Sequence, residues 1–387
     1  MVEIALDEVT VVFSGERPED TVTALDRLTL HVRSGELLTL VGPSGSGKST
    51  LLRTVAGVEE VAGGTITIGD RIVNDLSPRD RDVALVSQYD TLLPHLTVEQ
   101  NLGFPLSLRK VPSDEASRRV RAEARALGLW PKLRRRPRQL SSGERHKAAL
   151  GRATARRPQV YLFDEPLAGL DAGERGRVRR ELRQLQRGMG VTAVYVTHDQ
   201  RDAMALGDRV AVLSRGRIVQ VDEPMRVWAS PADLFVARFF GDPPLGVVEG
   251  RLHDDGTTAW IDLSGTALRL HPSQREAVVR RATGAEIAVG VRVGAVSIDE
   301  GDPRDAWHRR LPAVVTAIEP LGSSTTVTLE PGRTRGLGHG RLFASVAPSR
   351  HIARGAPVAA TVDLRRSFVF DVLTGERLHS AQHDTPS

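Results

Sequence analysis

One nine-residue segment constrains the fold of this chain more than any other: Gly42 to Thr50 reads GPSGSGKST. It matches the pattern Gly-x-x-x-x-Gly-Lys-Ser and lies between an apolar run, Leu37 to Val41, and a helix-like run that begins at Leu51. In a strand, glycine-rich turn and helix of this kind, backbone N–H groups surround phosphate oxygens and the positive helix end points at them. Lys48 is expected to reach the phosphates and Ser49 to ligate Mg²⁺. The segment therefore predicts an α/β fold that binds phosphate groups.

Composition narrows the class of protein further. A chain of 387 residues is long enough for two or three domains, and the absence of cysteine excludes a disulfide framework and a thiolate zinc site. The net charge of +5 could indicate a protein that binds nucleic acid, but the basic residues are almost all arginine and are interspersed with 48 acidic residues. A solvated mixed surface is favoured over a nucleic-acid patch.

The N-terminus, MVEIALDEVT, has no basic region followed by an apolar core, so we expect no signal peptide. No apolar stretch approaches the roughly 18 residues that cross a bilayer. We therefore expect a soluble chain, which can serve a membrane process only by docking onto another protein.

Two adjacent carboxylates follow a second apolar run. Val160 to Pro166 reads VYLFDEP, as expected for a buried parallel strand whose acids emerge at its carboxyl end, the edge where α/β sheets place ligands. Asp164 is suited to hold Mg²⁺, directly or through water. Glu165 is suited to orient and deprotonate an attacking water.

A third strand-like run, Ala193 to Thr197, delivers His198 34 residues after Asp164. That spacing leaves room for one crossover helix, about Gly173 to Arg187, so both strands can end at the same edge of the sheet. A histidine after a strand is more often an ordinary surface residue, and only its place beside the carboxylates favours a role in the site.

Two further elements distinguish classes of phosphate-loop protein. Gln88 closely follows the apolar run Val83 to Val86, and Leu140 to Glu144 (LSSGE) opens a helical stretch. A glycine-bearing polar loop at a helix start is a second anion site. One chain cannot easily bring two such helix starts to one γ-phosphate, so a dimer that supplies the second loop in trans is the natural solution.

Taken together, these motifs resemble the ATP-binding subunit of an ABC transporter. The resemblance covers essentially the whole chain and implies ATP and Mg²⁺ as cofactors. It implies Glu165 and His198 as catalytic residues and Asp171 as the D-loop aspartate. Nucleotide binding is implied for Phe13, Gly42, Pro43, Ser44, Gly45, Ser46, Gly47, Lys48, Ser49, Thr50, Gln88 and Asp164. The metal would be held by Ser49, Gln88 and Asp164, and the signature loop offered in trans is Ser141, Ser142, Gly143 and Glu144.

Three features depart from the family pattern or allow another interpretation. The signature is LSSGE rather than LSGGQ, so Ser142 adds a side chain and Glu144 adds a negative charge near the γ-phosphate, which Arg145 offsets in part. Phe13, at the position of the adenine-stacking aromatic, could instead pack in the core. The arginines between 134 and 138 are either a solvated face or a docking surface.

Beyond Gly241 the chain changes to short strand patterns separated by Gly, Asp and Ser turns, as in small β-barrels. The predicted strands are Ala259–Leu263, Ala267–Leu270, Glu286–Val291, Ala313–Ile318, Thr325–Leu329, Val358–Val362 and Phe368–Val372. This region resembles the two-lobed TOBE region of importer ATPases, and FVFDVLTGERL matches an ending common in carbohydrate-importer subunits. The implied architecture is an α/β P-loop NTPase (ABC ATPase) domain over 1–240, with a helical subdomain at about 90–155. A β-rich, OB-like TOBE regulatory region would follow over 241–387.

The resemblance implies a subunit that energises an ABC importer, for sugars or related polyols or, alternatively, for a polyamine, iron or another small solute. Its partners would be a second ATPase subunit, as a homodimer, two transmembrane permease subunits and, indirectly, an extracellular solute-binding protein, with no nucleic acid. It would lie on the cytoplasmic side of the cell membrane. A soluble non-transport ABC ATPase is less favoured, because such proteins usually carry two ATPase halves or long coiled coils, and this chain has one copy of each motif.

Overall fold

The computed structural model describes residues 2–15, 17, 20–86, 92–263, 265–270, 272–298, 308–332 and 340–379. The chain divides into two compact units, Met1–Pro224 and Met225–Ser387. The second unit includes the two short helices before residue 240, which the sequence pattern groups with the first. The limits 1–240 and 241–387 therefore stay a prediction.

The strands of the first unit are β1 (Ile4–Phe13), β2 (Val22–Val32), β3 (Leu37–Val41), β4 (Gly63–Ile68), β5 (Arg71–Ile72), β6 (Val83–Val86), β7 (Val160–Asp164), β8 (Thr192–Val196), β9 (Arg209–Ser214) and β10 (Arg217–Asp222). Its helices are α1 (Lys48–Ala56), α2 (Val98–Leu108), α3 (Ser113–Ala126), α4 (Ser142–Thr154), α5 (Ala172–Met189) and α6 (Gln200–Leu206). Short 3₁₀ turns cover Trp130–Lys132 and Pro137–Gln139.

The central sheet of this unit has the strand order β10-β9-β3-β8-β7-β6, with β10 antiparallel to β9 and the other pairs parallel. Alternate side chains of each strand enter different cores, as the pleat requires. Leu162 and Val194 pack with α1, whereas Tyr161 and Tyr195 pack with α4 and α5. Helices therefore cover both faces of a parallel sheet, and the predicted α/β class is confirmed.

A second, antiparallel sheet of order β2-β1-β4-β5 covers the α1 side. Strand β2 runs along the loop before α1, so the N-terminal strands form one wall of the phosphate site. Between β6 and β7 the regular structure in the described residues is helical: α2, α3 and α4 pack on one another within the second core.

The second unit begins within the short helix α7 (Pro224–Ala229), continues with α8 (Leu234–Phe239) and is otherwise rich in strands. These are β11 (Gly246–Asp254), β12 (Ala259–Leu263), β13 (Thr266–Arg269), β14 (Glu286–Val291), β15 (Val296–Ile298), β16 (His308–Pro320), β17 (Thr325–Pro331), β18 (Leu342–Val346), β19 (Pro357–Asp363), β20 (Ser367–Asp371) and β21 (Arg377–His379), with helix α9 (Pro272–Arg281) between β13 and β14.

Two antiparallel sheets, β13-β12-β11-β14-β20-β21 and β15-β19-β16-β17-β18, share one apolar core in this unit. A bridge between Val247 of β11 and Arg341, the residue before β18, joins the two sheets and gives a nearly closed, barrel-like arrangement. The expected β-rich, OB-like C-terminal region is therefore confirmed as a fold. Within the ranges that the structure describes, no helix is both long enough and apolar enough to cross a membrane.

Candidate active site

The loop between β3 and α1 has a shape that only glycine permits at two of its positions. Gly47 has φ +103°, which L side chains rarely adopt, and a Cβ there would lie 2.6 Å from the backbone oxygen of Ala24. A Cβ at Gly42 would lie 2.1 Å from the oxygen of Leu213. The loop is therefore pressed between β2 and the end of β9, with the start of α1 at its mouth.

Two polar side chains of this loop, those of Lys48 and Ser46, carry donor groups that could bind an anion. The Lys48 ammonium donates hydrogen bonds to the carbonyl oxygens of Gly42 (2.9 Å) and Pro43 (2.7 Å). Burial lowers the pKa of Lys48, and the carboxylates Glu165 and Asp164 oppose that shift. The Ser46 hydroxyl is buried and has no hydrogen-bond partner among the described residues. A phosphate would give both groups an acceptor.

Ser49, the second residue of α1, donates its hydroxyl hydrogen to Oδ1 of Asp164 at 3.1 Å. Burial raises the pKa of Asp164 at the end of β7, and the Ser49 hydrogen bond opposes that shift. A hydroxyl beside a carboxylate suits Mg²⁺, which takes one or two protein oxygens and completes its shell with phosphate and water. The described part of the chain holds no cluster of three His, Asp or Glu residues placed for a metal.

Glu165 and His198 meet at the end of the sheet, with Nδ1 of His198 2.9 Å from Oε2 of Glu165. The Glu165 N–H donates to the carbonyl of Val196 at 3.0 Å, which ties the end of β7 to the end of β8. Glu165 has φ +48°, an unusual conformation for a non-glycine residue. The parallel pairing of β7 and β8 therefore brings both predicted catalytic side chains to one edge, as the spacing of 34 residues suggested.

Two ion pairs that the sequence analysis did not predict hold the segment that follows His198. Arg175 of α5 contacts Asp199 at 2.5 Å, and Arg179, one turn later, contacts the buried Asp202 of α6 at 3.2 Å. Two arginines four residues apart lie on one face of a helix, and the pattern Asp-x-x-Asp follows His198 in the sequence. Together these two patterns could have predicted both ion pairs. A small pocket is lined by Glu165 and His198 together with Arg175, Asp199 and Asp202.

The predicted signature loop forms the start of α4. Ser141 is the N-cap residue: its hydroxyl accepts from the N–H of Glu144 at 3.2 Å, and the Glu144 carboxylate accepts from the N–H of Ser141 at 3.0 Å. A Cβ at Gly143 would lie 3.0 Å from Oε1 of Glu174, the end of a flexible side chain that can move aside. The carboxylate expected to face phosphate is thus turned back onto the helix cap.

Phe13 ends β1 with 41% of its surface exposed, so it does not pack in the core. Its cross-strand partner is Val22 on β2, two residues before Ala24, which touches the phosphate loop at Gly47. Two residues of a strand span roughly 7 Å. Phe13 therefore lies within reach of a base whose phosphates occupy the loop, and stacking there stays a prediction.

Two predicted residues complete the comparison of sequence and structure. Asp171 caps α5, its carboxylate accepting from the N–H of Glu174 at 2.8 Å. Gln88 lies outside the described residues. The structure thus brings together Lys48, Ser49, Asp164, Glu165 and His198. Helices α1 and α4 pack in cores on opposite faces of the sheet.

Comparison with known proteins identifies the family of this chain. A model of the ABC transporter family matches residues 25–168. The trehalose/maltose import ATP-binding protein MalK of Thermococcus litoralis is 42% identical over 375 residues, covering 92% of this chain and 96% of that protein. The chain belongs to the ABC transporter family of ATP-binding proteins. As an ABC ATP-binding protein it is an ATPase, and the predicted family is confirmed.

Other relatives of this ABC ATPase are similar over comparable lengths. The sn-glycerol-3-phosphate import ATP-binding protein UgpC 3 of Agrobacterium fabrum is 42% identical, covering 84% of this chain and 87% of that protein. Among solved structures, a dimeric ATP-binding cassette in a post-hydrolysis state with ADP and Pi is 28% identical at a TM-score of 0.51, covering 57% of this chain and 98% of that one.

Proposed function

We propose that this chain is the ATP-hydrolysing subunit that energises an ABC importer for sugars or related polyols. The observation that carries the proposal is the near full-length identity of 42% with a trehalose/maltose import ATP-binding protein. Relatives named for glycerol-3-phosphate and sulfoquinovosyl glycerol transport point to the same class of solute. The permeases and a solute-binding protein would select the solute itself.

Each site residue would have its own role in binding ATP and Mg²⁺, and its contacts in the structure support that assignment. On ATP binding, the Lys48 ammonium would exchange the carbonyls of Gly42 and Pro43 for the β- and γ-phosphates, and Ser46 would gain an acceptor for its buried hydroxyl. Phe13 would stack on the adenine. Ser49 and Asp164, 3.1 Å apart, would hold Mg²⁺ together with Gln88. When bound, Mg²⁺ supplies neutralisation of the phosphate charge.

Glu165 would orient a water for attack on the γ-phosphorus and accept its proton. His198, 2.9 Å from that carboxylate, would hold Glu165 in place and contact the γ-phosphate. Both side chains follow the carboxyl ends of β7 and β8, and Glu165 is close enough to Lys48 and Asp164 to affect their pKa values, which supports this assignment.

The second half of each site would come from another copy of this chain. Helix α4, which carries Ser141 to Glu144, packs on the face of the sheet opposite to α1, so its free end is suited to meet a phosphate bound by a partner. A dimeric cassette among the similar structures is consistent with this arrangement. Closure of the dimer would drive two permease subunits from the cytoplasmic side of the membrane, and the β-rich second unit would supply regulation or dimer contacts.

Two measurements test the proposal. ATP hydrolysis by the purified chain should depend on Lys48, and deletion of the gene should impair uptake of one or a few radiolabelled sugars or polyols at low concentration. Normal uptake across a broad sugar panel, with loss of polyamine or iron uptake, would overturn the solute class and leave the ATPase role standing.

A further inference from the structure

The signature helix of this chain carries a carboxylate, Glu144, at the position where the LSGGQ pattern has a neutral amide. Both of its oxygens are engaged. Oε2 accepts the N–H of Ser141 at 3.0 Å, and Oε1 lies 3.3 Å from Nζ of Lys132. Each of the two charged side chains is more than two-thirds buried, with exposures of 28% for Lys132 and 29% for Glu144.

Lys132 is held in place by backbone contacts around it. It ends the 3₁₀ turn Trp130–Lys132, and its N–H donates to the carbonyl of Leu129 at 2.8 Å. The carbonyls of Leu133 and Arg135 then accept from the first N–H groups of α2, at 3.0 and 2.8 Å. The segment that carries Lys132 is thus tied to the start of α2, so the ammonium is presented from a fixed backbone rather than from a free loop.

The charge state of Glu144 makes this neighbour important. The Ser141 N–H lowers the pKa of Glu144, and Lys132 and Arg135 lower it further, so the side chain is an anion at neutral pH. An anion at a helix start that has to meet phosphate weakens the attraction between the two. A glutamine would make the same cap bond to Ser141 without that charge.

We propose that Lys132 is a positioning residue of the composite ATP site: it neutralises Glu144 and holds the carboxylate against the Ser141 cap. The pair Lys132–Glu144 thereby does the work of one glutamine in this chain. The proposal rests on the proposed function, since only an ATP sandwich between two copies brings Ser141 to a γ-phosphate. Lysine occurs only four times in 387 residues, at 48, 110, 132 and 147, so its presence here stands out from the arginine-rich background.

A double-mutant cycle on the full chain tests this role. Lys132→Met, Glu144→Gln and the double variant are compared for kcat and KM of ATP hydrolysis. The ATP-dependent dimer is measured for each by analytical ultracentrifugation in a Glu165→Gln background. Lys132→Met alone should lower kcat and weaken the dimer about threefold or more, within the range for contacting residues. The same change in the Glu144→Gln background should alter both by less than about twofold.

Two controls separate positioning from ordinary stabilisation. Lys147→Met removes a lysine on the same helix as Glu144 that pairs with Glu181 at 2.7 Å, and should leave kcat and dimerisation unchanged. Lys132→Arg should restore most of the loss. The Lys132→Met defect should also shrink at about 1 M salt, where the Debye length is only about 3 Å, whereas a purely structural defect would not. Thermal melting confirms that each variant is folded.

Equal losses from Lys132→Met in the wild-type and Glu144→Gln backgrounds would overturn the inference, and so would an unchanged kcat and dimer constant. Failure of the proposed function looks different: the wild-type chain and its Glu144→Gln variant would then neither hydrolyse ATP nor form an ATP-dependent dimer. In that case Lys132–Glu144 is only a helix-cap ion pair, and the inference falls as well.

Discussion

Arg175→Met tests how much the ion pair next to His198 stabilises the first unit. The guanidinium of Arg175 lies 2.5 Å from Asp199, the residue after His198, and joins α5 to the start of α6. Asp199 also caps α6, accepting from the N–H groups of Arg201 and Asp202. Methionine keeps the apolar stem of the arginine and removes its charge together with its N–H donors.

The structure gives the size of the expected effect. The side chains of Arg175 and Asp199 are 26% and 23% exposed, so the pair is largely but not fully buried. Breaking a buried ion pair by removing one partner costs about 3–5 kcal/mol. Discounting for the exposed quarter gives a loss of about 2–3 kcal/mol in the free energy of unfolding. For a unit of this size the melting temperature should fall by roughly 5–10 °C.

The loss should depend on pH in a defined direction. Burial acts to raise the pKa of Asp199, but the two N–H groups of α6 and Arg175 outweigh it, so the pKa lies below its ordinary value. Burial, and then Asp199, raise the pKa of Asp202, while Arg175 opposes that shift. The stabilisation from Asp199 is present above its unfolded pKa of about 3.9 and is lost as pH falls through its lower folded value. The gap between wild type and variant should therefore stay full from pH 7 down to about pH 4 and narrow only below it, as the Asp199 carboxylate becomes protonated.

The assay is urea unfolding of the full chain at pH 7, at about pH 4.5 and at about pH 3, which lie above and below the unfolded pKa of Asp199, with a signal that reports on the first unit. Arg180→Met, an exposed arginine on the same helix, is the matched control and should cost less than about 0.5 kcal/mol. An Arg175→Met gap that stays constant or widens on acidification would refute the electrostatic reasoning. A change no larger than that of Arg180→Met would show that the contact contributes nothing measurable.

Three further outcomes are expected. Lys48→Ala should lower ATP affinity at least about tenfold in a fluorescence titration, because it removes the cation that clamps the phosphates; equal affinity would mean that the loop is only a turn. Glu165→Gln should retain ATP binding but slow hydrolysis about a hundredfold or more, and size-exclusion chromatography should reveal an ATP-dependent dimer. Steady turnover by that variant would place the base elsewhere. Arg292→Met should destabilise the second unit by about 3 kcal/mol, since the guanidinium donates to the carbonyls of Trp228, Ala237 and Phe240. Its ATP affinity should equal that of wild type, and an unchanged unfolding transition would show that these three hydrogen bonds contribute no measurable stability.

Much of the site could be predicted from local sequence patterns, because its strands, its glycine loop and its helices each form from contiguous residues. The strand Leu37–Val41, the glycine loop and the helix after it form as the sequence indicated, and β7 ends at Asp164 as the run VYLFD suggested. The crossover helix expected at about 173–187 is observed as Ala172–Met189. Apolar runs of strand length, bounded by glycine or carboxylates, leave few other conformations open.

The C-terminal region was predicted in part. The seven segments predicted as strands all overlap observed strands, and Ala259–Leu263 and Glu286–Val291 match at both ends, whereas β11 (Gly246–Asp254), β18 (Leu342–Val346) and helix α9 (Pro272–Arg281) were not predicted. These segments mix polar and apolar residues without a clear period. Their conformation depends on pairing with strands distant in the chain, such as β11 with β14.

The sequence by itself determined the family, the phosphate loop and the order of the catalytic groups, because each of these depends on residue type and spacing along one stretch of chain. Only the tertiary structure decided that Glu144 turns to Ser141 and Lys132, that Phe13 stays exposed, and that Arg175 supports Asp199. These contacts join residues from different elements. Side-chain direction, burial and the local electric field arise only when the elements pack, and no period or spacing in the sequence encodes them.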